Sequence, residues 1–284
     1  MAINRTTFFA YVRKAPFGGR LSTAQVQGVE ALLDACATYG VIDLRWIAYI
    51  LATAFHETGG TMQPVREAFG KSDADTIARL DKAWAAGKMK QVSKPYWRDG
   101  WFGRGFVQIT FLANYVKMGA RLGLDLVKNP SLMLEIVPAA KACVVGMYEG
   151  MFTGKKLADY FSQFVNDAIE ARRIVNGKDK AKLIAGYHRN FLDALEAADT
   201  ATPQPADVKK EDAKPDDVPP AESKSLWTIL TTFLGGMTSL PFLGNVNNGW
   251  ALGALALVLS AGGIAAWLVL SGRVTINRTK AISP

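Results

Sequence analysis

The stretch LRWIAYILATAFHETGG, residues 44–60, decides the fold of the first two hundred residues. Its apolar residues recur at helical spacing up to Phe55, which predicts a buried helix. Gly59 and Gly60 accept a positive φ without steric cost and therefore predict the end of that helix. Glu57 is then placed where a core helix turns out toward a surface or cleft. Partial desolvation there favours the protonated carboxyl group, which suits a general acid, and the alternative is a solvated residue at a helix end.

The rest of the first two hundred residues predicts one mostly helical domain, residues 1–199, with little strand. Apolar stripes and capping residues predict further helices at residues 21–39, 73–84, 111–122, 136–151, 157–175 and 181–198. The run from Gly103 to Thr110 differs, because two glycines flank an arginine and apolar and polar residues then alternate. That pattern predicts a tight turn leading into a short strand.

The composition changes abruptly after residue 199. Residues 200–224 are rich in proline, alanine and charged residues and nearly free of large apolar side chains, which predicts a disordered linker. Residues 225–284 form a predicted membrane-anchor region, in which a charge-free apolar run at about residues 250–272 is long enough to span a bilayer. A second apolar segment, residues 226–243, contains glycine and proline, and a span, a re-entrant piece and an interfacial helix all stay open for it.

The predicted topology depends on the number of spans. Basic residues after residue 272 place the C-terminal tail in the cytoplasm by the positive-inside rule. One span then puts the large domain outside, whereas two spans put both ends on the cytoplasmic side. We expect a membrane protein whose large domain lies on the extracytoplasmic side, where it can reach its substrate.

The charge of the chain limits its partners. A net charge of +8 attracts anionic surfaces, namely nucleic acid, phospholipid headgroups or acidic cell-wall polymer. The sequence has no long Lys/Arg block, zinc-finger spacing or RNA-binding signature, so we expect no nucleic-acid partner. Only two histidines occur, His56 and His188, without an HExxH motif. We therefore expect no metal and no cofactor.

A pair of carboxylates offers the clearest chemistry in the sequence. Glycosidic bonds are cleaved by two such groups, one protonating the leaving oxygen and one handling water or the sugar cation. Glu57 and Glu67 flank a short glycine-containing loop, so we expect them to face one another across a groove. Asp73 and Asp75 are spare candidates. The alternative for Glu67 is a loop carboxylate paired with Arg66.

Neighbouring residues offer groups that bind sugars. Arg104 can orient a carboxylate or bind a sugar, and the alternative is an ordinary turn arginine. Neutral hydrogen-bonding groups come from Gln108, Thr110 and Asn114. Four aromatic residues offer flat faces for sugar rings, although such residues more often serve packing: Tyr96, Trp97, Trp101 and Tyr115.

These motifs together resemble the family 19 glycoside hydrolases, most closely the phage and bacterial endolysin branch. The motifs are His56-Glu57-Thr58-Gly59-Gly60, Val65-Arg66-Glu67, the run from Gly103 to Thr110 with Asn114-Tyr115, and Ile174-Val175-Asn176-Gly177. The resemblance covers about residues 20–195 and implies a lysozyme-like, two-lobed helical domain that acts by inversion without metal. It implies that Glu57 is the general acid and Glu67 the second carboxylate. It further implies that other side chains bind substrate: His56, Arg104, Gln108, Thr110, Asn114, Tyr115 and Asn176.

The implied function is that of a membrane-tethered, endolysin-like muramidase that hydrolyses the glycan strands of peptidoglycan. Its expected partners are peptidoglycan or another N-acetylated glycan, together with membrane lipid. A chitinase and a lytic transglycosylase stay open as enzymatic alternatives. A non-catalytic wall-binding or holin-like membrane protein is an alternative of another class, favoured by the apolar C-terminal region.

Overall fold

The computed structural model describes residues 2–90 and 92–217, and its first compact unit ends at Lys214. In the described part the chain is mostly helical, as the sequence predicts. Its α-helices are α1 (Arg5–Lys14), α2 (Thr23–Thr38), α3 (Leu44–Glu57), α4 (Asp73–Ala85), α5 (Leu112–Leu122), α6 (Ile136–Glu149) and α7 (Ala181–Ala198). Two short strands, β1 (Val65–Arg66) and β2 (Arg104–Gly105), pair antiparallel with Val65 opposite Gly105.

The limits of α3 follow from its terminal residues. Asp43 caps the helix, because its side chain accepts a hydrogen bond from the backbone N–H of Arg45 at 2.9 Å. The helix ends at Glu57, and Gly59 and Gly60 follow with φ values of 60° and 80°. These left-handed conformations turn the chain away from the helix axis. The prediction that Glu57 lies at the end of a core helix is confirmed.

The core centres on α3, in which every residue from Ile47 to Ala54 is buried. Side chains of α1, α2, α6 and α7 pack around it in the main hydrophobic cluster. A second cluster joins Tyr115 and Met118 of α5 to α6. A third, smaller cluster lies beside α4 and contains Trp97. These clusters hold the segments around Glu57 and Glu67 in place, whereas the two-lobed shape stays a prediction.

The helix predicted at residues 157–175 is wrong. The segment contains only short 3₁₀ helices, Leu157–Asp159 and Glu170–Ile174, joined by irregular backbone. The Ser162 hydroxyl and an Asp167 carboxylate oxygen each accept hydrogen bonds from two backbone N–H groups that follow them in the chain. Such local bonds compete with the helical pattern and explain why the apolar periodicity is misleading here.

The folded unit continues past the predicted domain boundary at residue 199. The hydroxyl of Thr7 donates to the Gln204 side chain at 2.8 Å, and Arg13 Nε donates to the Asp212 carbonyl at 2.6 Å. A short 3₁₀ helix, Lys210–Ala213, also contacts the main core through its last residue. The segment from residue 200 to 214 therefore packs along α1, a helix that the sequence analysis did not predict. Composition alone does not reveal that Arg13 donates a hydrogen bond to a backbone carbonyl group of this segment.

No helix in the described ranges is long and apolar enough to cross a membrane. The predicted apolar segments at residues 226–243 and 250–272, with the whole predicted anchor region 225–284, lie outside the described residues. The membrane anchor therefore stays a prediction.

His188 on α7 gives the fold a predictable response to acid. Its ring stacks on Phe161 with centroids 5.3 Å apart, and Nε2 donates to the Arg45 carbonyl at 3.1 Å. Burial lowers the pKa of His188 from 6.5 to about 4. Between these values the unfolded chain binds a proton that the folded chain does not, so stability falls as the pH drops from 6.5 toward 4.

We expect His188→Gln to reduce this acid-induced loss by up to about 3 kcal/mol. Urea unfolding of both proteins between pH 7 and pH 4 measures the effect. The slopes of the unfolding free energy against pH are compared, because the substitution also changes packing at all pH values. Equal slopes for wild type and variant would contradict the assignment.

Candidate active site

Glu57, the last residue of α3, is fixed by an arginine from a distant part of the chain. Its Oε1 accepts a hydrogen bond from Nη1 of Arg172 at 2.6 Å. The side chains are 19% and 4% exposed for Glu57 and Arg172, respectively. Arg172 Nε also donates to the Asp179 carbonyl at 3.2 Å, which fixes the guanidinium group.

Glu67 follows β1 and is held by neutral donors. Its Oε1 accepts from the Tyr96 hydroxyl at 2.6 Å, and its Oε2 accepts from the backbone N–H of Gly103 at 2.7 Å. Its own backbone N–H donates to the Gly103 carbonyl at 2.7 Å. Arg66 pairs with Asp73 at 2.7 Å, so the alternative of an Arg66–Glu67 pair does not apply. The Glu67 carboxylate is thus oriented without a cationic partner among the ion pairs of the described residues.

The Tyr96 side chain that binds Glu67 is held by aromatic packing. Its ring packs against Trp97 and Phe111, with centroids 5.1 and 4.6 Å away. Burial and the hydrogen bond to Glu67 raise the pKa of Tyr96 above its ordinary value of 10.0. Tyr96 therefore stays protonated across the physiological range and acts as a donor to Glu67.

A pocket of about 130 Å³ is lined mainly by residues 107–118, and neither Glu57 nor Glu67 lines it. Its polar wall contains Gln108, Thr110 and Asn114, three residues predicted to bind substrate. Its other lining residues include Met118, Met151 and Phe152. Apolar surface with a few convergent polar groups is typical of ligand pockets and suits a sugar with an acetamide group.

Short segments connect each glutamate to this pocket. Phe111 lines the pocket and contacts the ring of Tyr96, which binds Glu67. Val175 also lines the pocket, three residues after the Arg172 that binds Glu57. The two carboxylates are therefore linked to two different parts of one pocket lining.

The polar wall also braces the short sheet. Gln108 Nε2 donates to the carbonyl oxygens of Val65 at 3.0 Å and Gly105 at 3.3 Å, and its buried Oε1 has no hydrogen-bond partner. The Thr110 hydroxyl donates to the Gln108 carbonyl, and Asn114 Nδ2 donates to the Thr110 carbonyl at 2.8 Å. Asn114 is exposed and therefore the most accessible of the three predicted polar groups.

Two residues predicted to contact substrate are buried instead. Arg104 and Tyr115 expose 1% and 0% of their surface. Arg104 Nη2 pairs with Asp73 at 2.9 Å, and its Nη1 donates to the Tyr115 hydroxyl at 3.0 Å. That hydroxyl donates to the Phe102 carbonyl at 2.9 Å. These bonds correct the prediction for both residues, because their side chains brace β2 from within and present no surface to a sugar.

The spare carboxylates are also engaged elsewhere. Burial acts to raise the pKa of Asp73, but hydrogen bonds from Arg66 and Arg104 outweigh it, so the pKa lies below the ordinary 3.8. Asp75 pairs with Arg79 at 2.9 Å on the exposed face of α4. Asp73 therefore links α4 to β1 and β2, and Asp75 pairs within α4.

Two predicted substrate-binding residues remain, His56 and Asn176. His56 precedes Glu57 in the chain, and Asn176 contacts Arg172, the partner of Glu57. Burial lowers the pKa of His56 below 6.5, with the Glu57 carboxylate acting in the opposite direction. Asn176 is exposed, and its backbone N–H donates to the Arg172 carbonyl at 3.0 Å. In the described ranges no group of three His, Cys, Asp or Glu side chains is arranged to hold a metal ion.

Replacing Tyr96 by phenylalanine tests how Glu67 is oriented. We expect Tyr96→Phe to lower kcat by roughly 3- to 10-fold, because a hydrogen bond to a charged group contributes about 1.5–3 kcal/mol and only part of it is lost in the transition state. Tyr148→Phe, at a partly exposed tyrosine outside the site, is the control. A folded Tyr96→Phe protein with the wild-type kcat would argue against this orientation.

No family model matches the chain, and no curated protein matches it. Among solved structures the chain is similar to a bacterial family 19 chitinase, with 22% sequence identity over 69% of this chain and 95% of the chitinase chain, and a TM-score of 0.42.

Proposed function

We propose that this chain is a glycoside hydrolase that cuts the glycan strands of peptidoglycan, as an endolysin-like muramidase does. The observation that carries the proposal is the placement of Glu57 and Glu67. Both carboxylates are fixed by short hydrogen bonds, and both are linked to the lining of the same pocket. Two oriented carboxylates beside a pocket with polar and apolar walls are what glycosidic hydrolysis requires.

In the proposed reaction Glu57 donates its proton to the glycosidic oxygen as the bond to the anomeric carbon breaks. Glu67 accepts a proton from a water molecule while the water oxygen bonds to that carbon from the opposite face. The products are a free hydroxyl group on the leaving sugar and a reducing end of inverted configuration. Glu57 ends as a carboxylate and Glu67 as a carboxylic acid, and solvent restores both.

The partners of the two glutamates suit these opposite roles. Glu57 becomes negative as it loses its proton, and the charge of Arg172 at 2.6 Å stabilises that state. Glu67 begins negative, and the neutral donors Tyr96 and Gly103 orient it without a competing cation. An oriented base and an acid whose charged form is stabilised are both expected to lower the barrier.

Two sequence features favour peptidoglycan over chitin as the substrate. The net charge of +8 suits an anionic cell wall, and the motifs resemble the endolysin branch. In this proposal the apolar run at residues 250–272 tethers the chain to a membrane, with the hydrolase domain on the extracytoplasmic side.

Product analysis tests the proposal. The full chain is incubated with purified peptidoglycan and, separately, with a chitin hexasaccharide. The masses of the released fragments are measured by mass spectrometry. We expect muropeptides whose masses include one added water per cut. Anhydro ends would indicate a lytic transglycosylase, and cleavage of chitin alone would indicate a chitinase. Binding to peptidoglycan without any cleavage would contradict a hydrolase and favour a wall-binding protein.

A further inference from the structure

The pocket contains one cation that the proposed hydrolysis does not use. Lys117 lies on α5, one turn after Asn114, and both residues line the pocket. Among the described residues that line it, Lys117 is the one that carries a charge. An otherwise neutral sugar pocket with a single cation discriminates between neutral and anionic ligands.

Lys117 has no carboxylate partner in the part of the chain that the structure describes. Its Nζ lies 3.4 Å from the Met151 carbonyl oxygen, and none of the ion pairs of the described part of the chain includes it. Helix α5 has no acidic residue, and its other cation, Arg121, pairs with Glu149 at 2.6 Å. Lys117 is exposed, so an incoming anion can reach its ammonium group.

Chitin strands are uncharged, whereas peptidoglycan strands bear peptides with free carboxylates. We infer that Lys117 forms a subsite that selects glycans carrying a carboxylate substituent, an inference that rests on the proposed glycosidase function. Asn114 and Thr110 on the same wall offer hydrogen-bonding groups to the sugar, and Lys117 pairs with the carboxylate beside it. A partly exposed ion pair of this kind corresponds to a roughly two- to five-fold preference at low salt.

The test compares one glycan in two charge states. Soluble peptidoglycan strands are used either with free carboxylates or after chemical amidation of those carboxylates, and kcat/KM is measured with the full chain. The variants are Lys117→Met and, as a matched control, Lys128→Met, which removes an exposed lysine that does not line the pocket. Each rate is measured at low salt and at high salt, because screening weakens an exposed pair.

We expect wild type and Lys128→Met to prefer the strands with free carboxylates by roughly two- to five-fold at low salt. The preference should shrink at high salt and be absent in Lys117→Met. Equal rates of the wild type on both strands, or a preference that persists in Lys117→Met, would overturn the inference while leaving glycan cleavage established. A wild type that cuts neither strand would contradict the proposed function itself. Because each protein is compared with itself on two substrates, a general loss of activity in a variant does not mimic the expected result.

Discussion

The variant Glu57→Gln is expected to lose activity on peptidoglycan by about 10²- to 10⁴-fold, because an amide N–H is far too weak an acid to protonate the leaving oxygen. The amide oxygen still accepts the hydrogen bond from Arg172. The charge of the buried Arg172 loses its counterion, however, so a fall in stability of about 1–3 kcal/mol is also expected. Initial rates of reducing-end release are therefore measured together with circular dichroism, at a temperature where both proteins are folded.

The chain provides a close control for this variant. Glu149 is the last residue of α6, as Glu57 is of α3, and it also pairs with an arginine, Arg121, at 2.6 Å. Glu149→Gln removes the same charge from the end of a helix and should leave the rate within about two-fold of wild type, as expected for an exposed pair. A folded Glu57→Gln protein with wild-type activity would exclude Glu57 as the acid.

The second large effect is expected for Arg172→Met, which removes the charge beside Glu57 but keeps an unbranched apolar side chain. We expect kcat/KM to fall by about 10- to 100-fold, because the negative charge that develops on Glu57 loses its stabilising partner. The loss should appear in kcat rather than in KM, because the charge on Glu57 develops only in the transition state. Circular dichroism checks that the variant is folded.

Arg121→Met serves as the control for Arg172→Met, because it leaves Glu149 unpaired on the surface and outside the site. Its kcat/KM should stay within about two-fold of the wild-type value, as expected for an exposed pair. If Arg172→Met is folded and keeps the wild-type kcat, the electrostatic role proposed for Arg172 is wrong.

The sequence predicts the helical scaffold well where local signals agree. α3 is predicted because its apolar spacing and the terminating pair Gly59–Gly60 agree on where the helix ends. α7 likewise has the predicted limits, Ala181–Ala198. The prediction fails between residues 157 and 175, where side chains such as Ser162 and Asp167 bind nearby backbone groups. Apolar spacing does not reveal that competition.

Predicting the site requires long-range information that one sequence lacks. Glu57 and Glu67 are identified by motif and chemistry, but Arg172 is 115 residues away from Glu57 and has no local signal beyond its nearness to the Asn176 turn. Arg104 is the opposite case, because it was predicted to contact substrate and is buried. Its place between two glycines suggested an accessible group, whereas the fold buries it against Asp73 and other partners. Burial is a property of the assembled fold and could not be inferred from the flanking residues.

The configuration of the freshly cut sugar tests the two-carboxylate account most directly. NMR spectra recorded during the first turnovers on a soluble β-linked strand distinguish the anomers before they equilibrate. A base that activates water opposite the acid predicts a reducing end that first appears as the α-anomer. An initial β-anomer, or an anhydro end with no anomeric hydroxyl group, would contradict the roles given to Glu57 and Glu67.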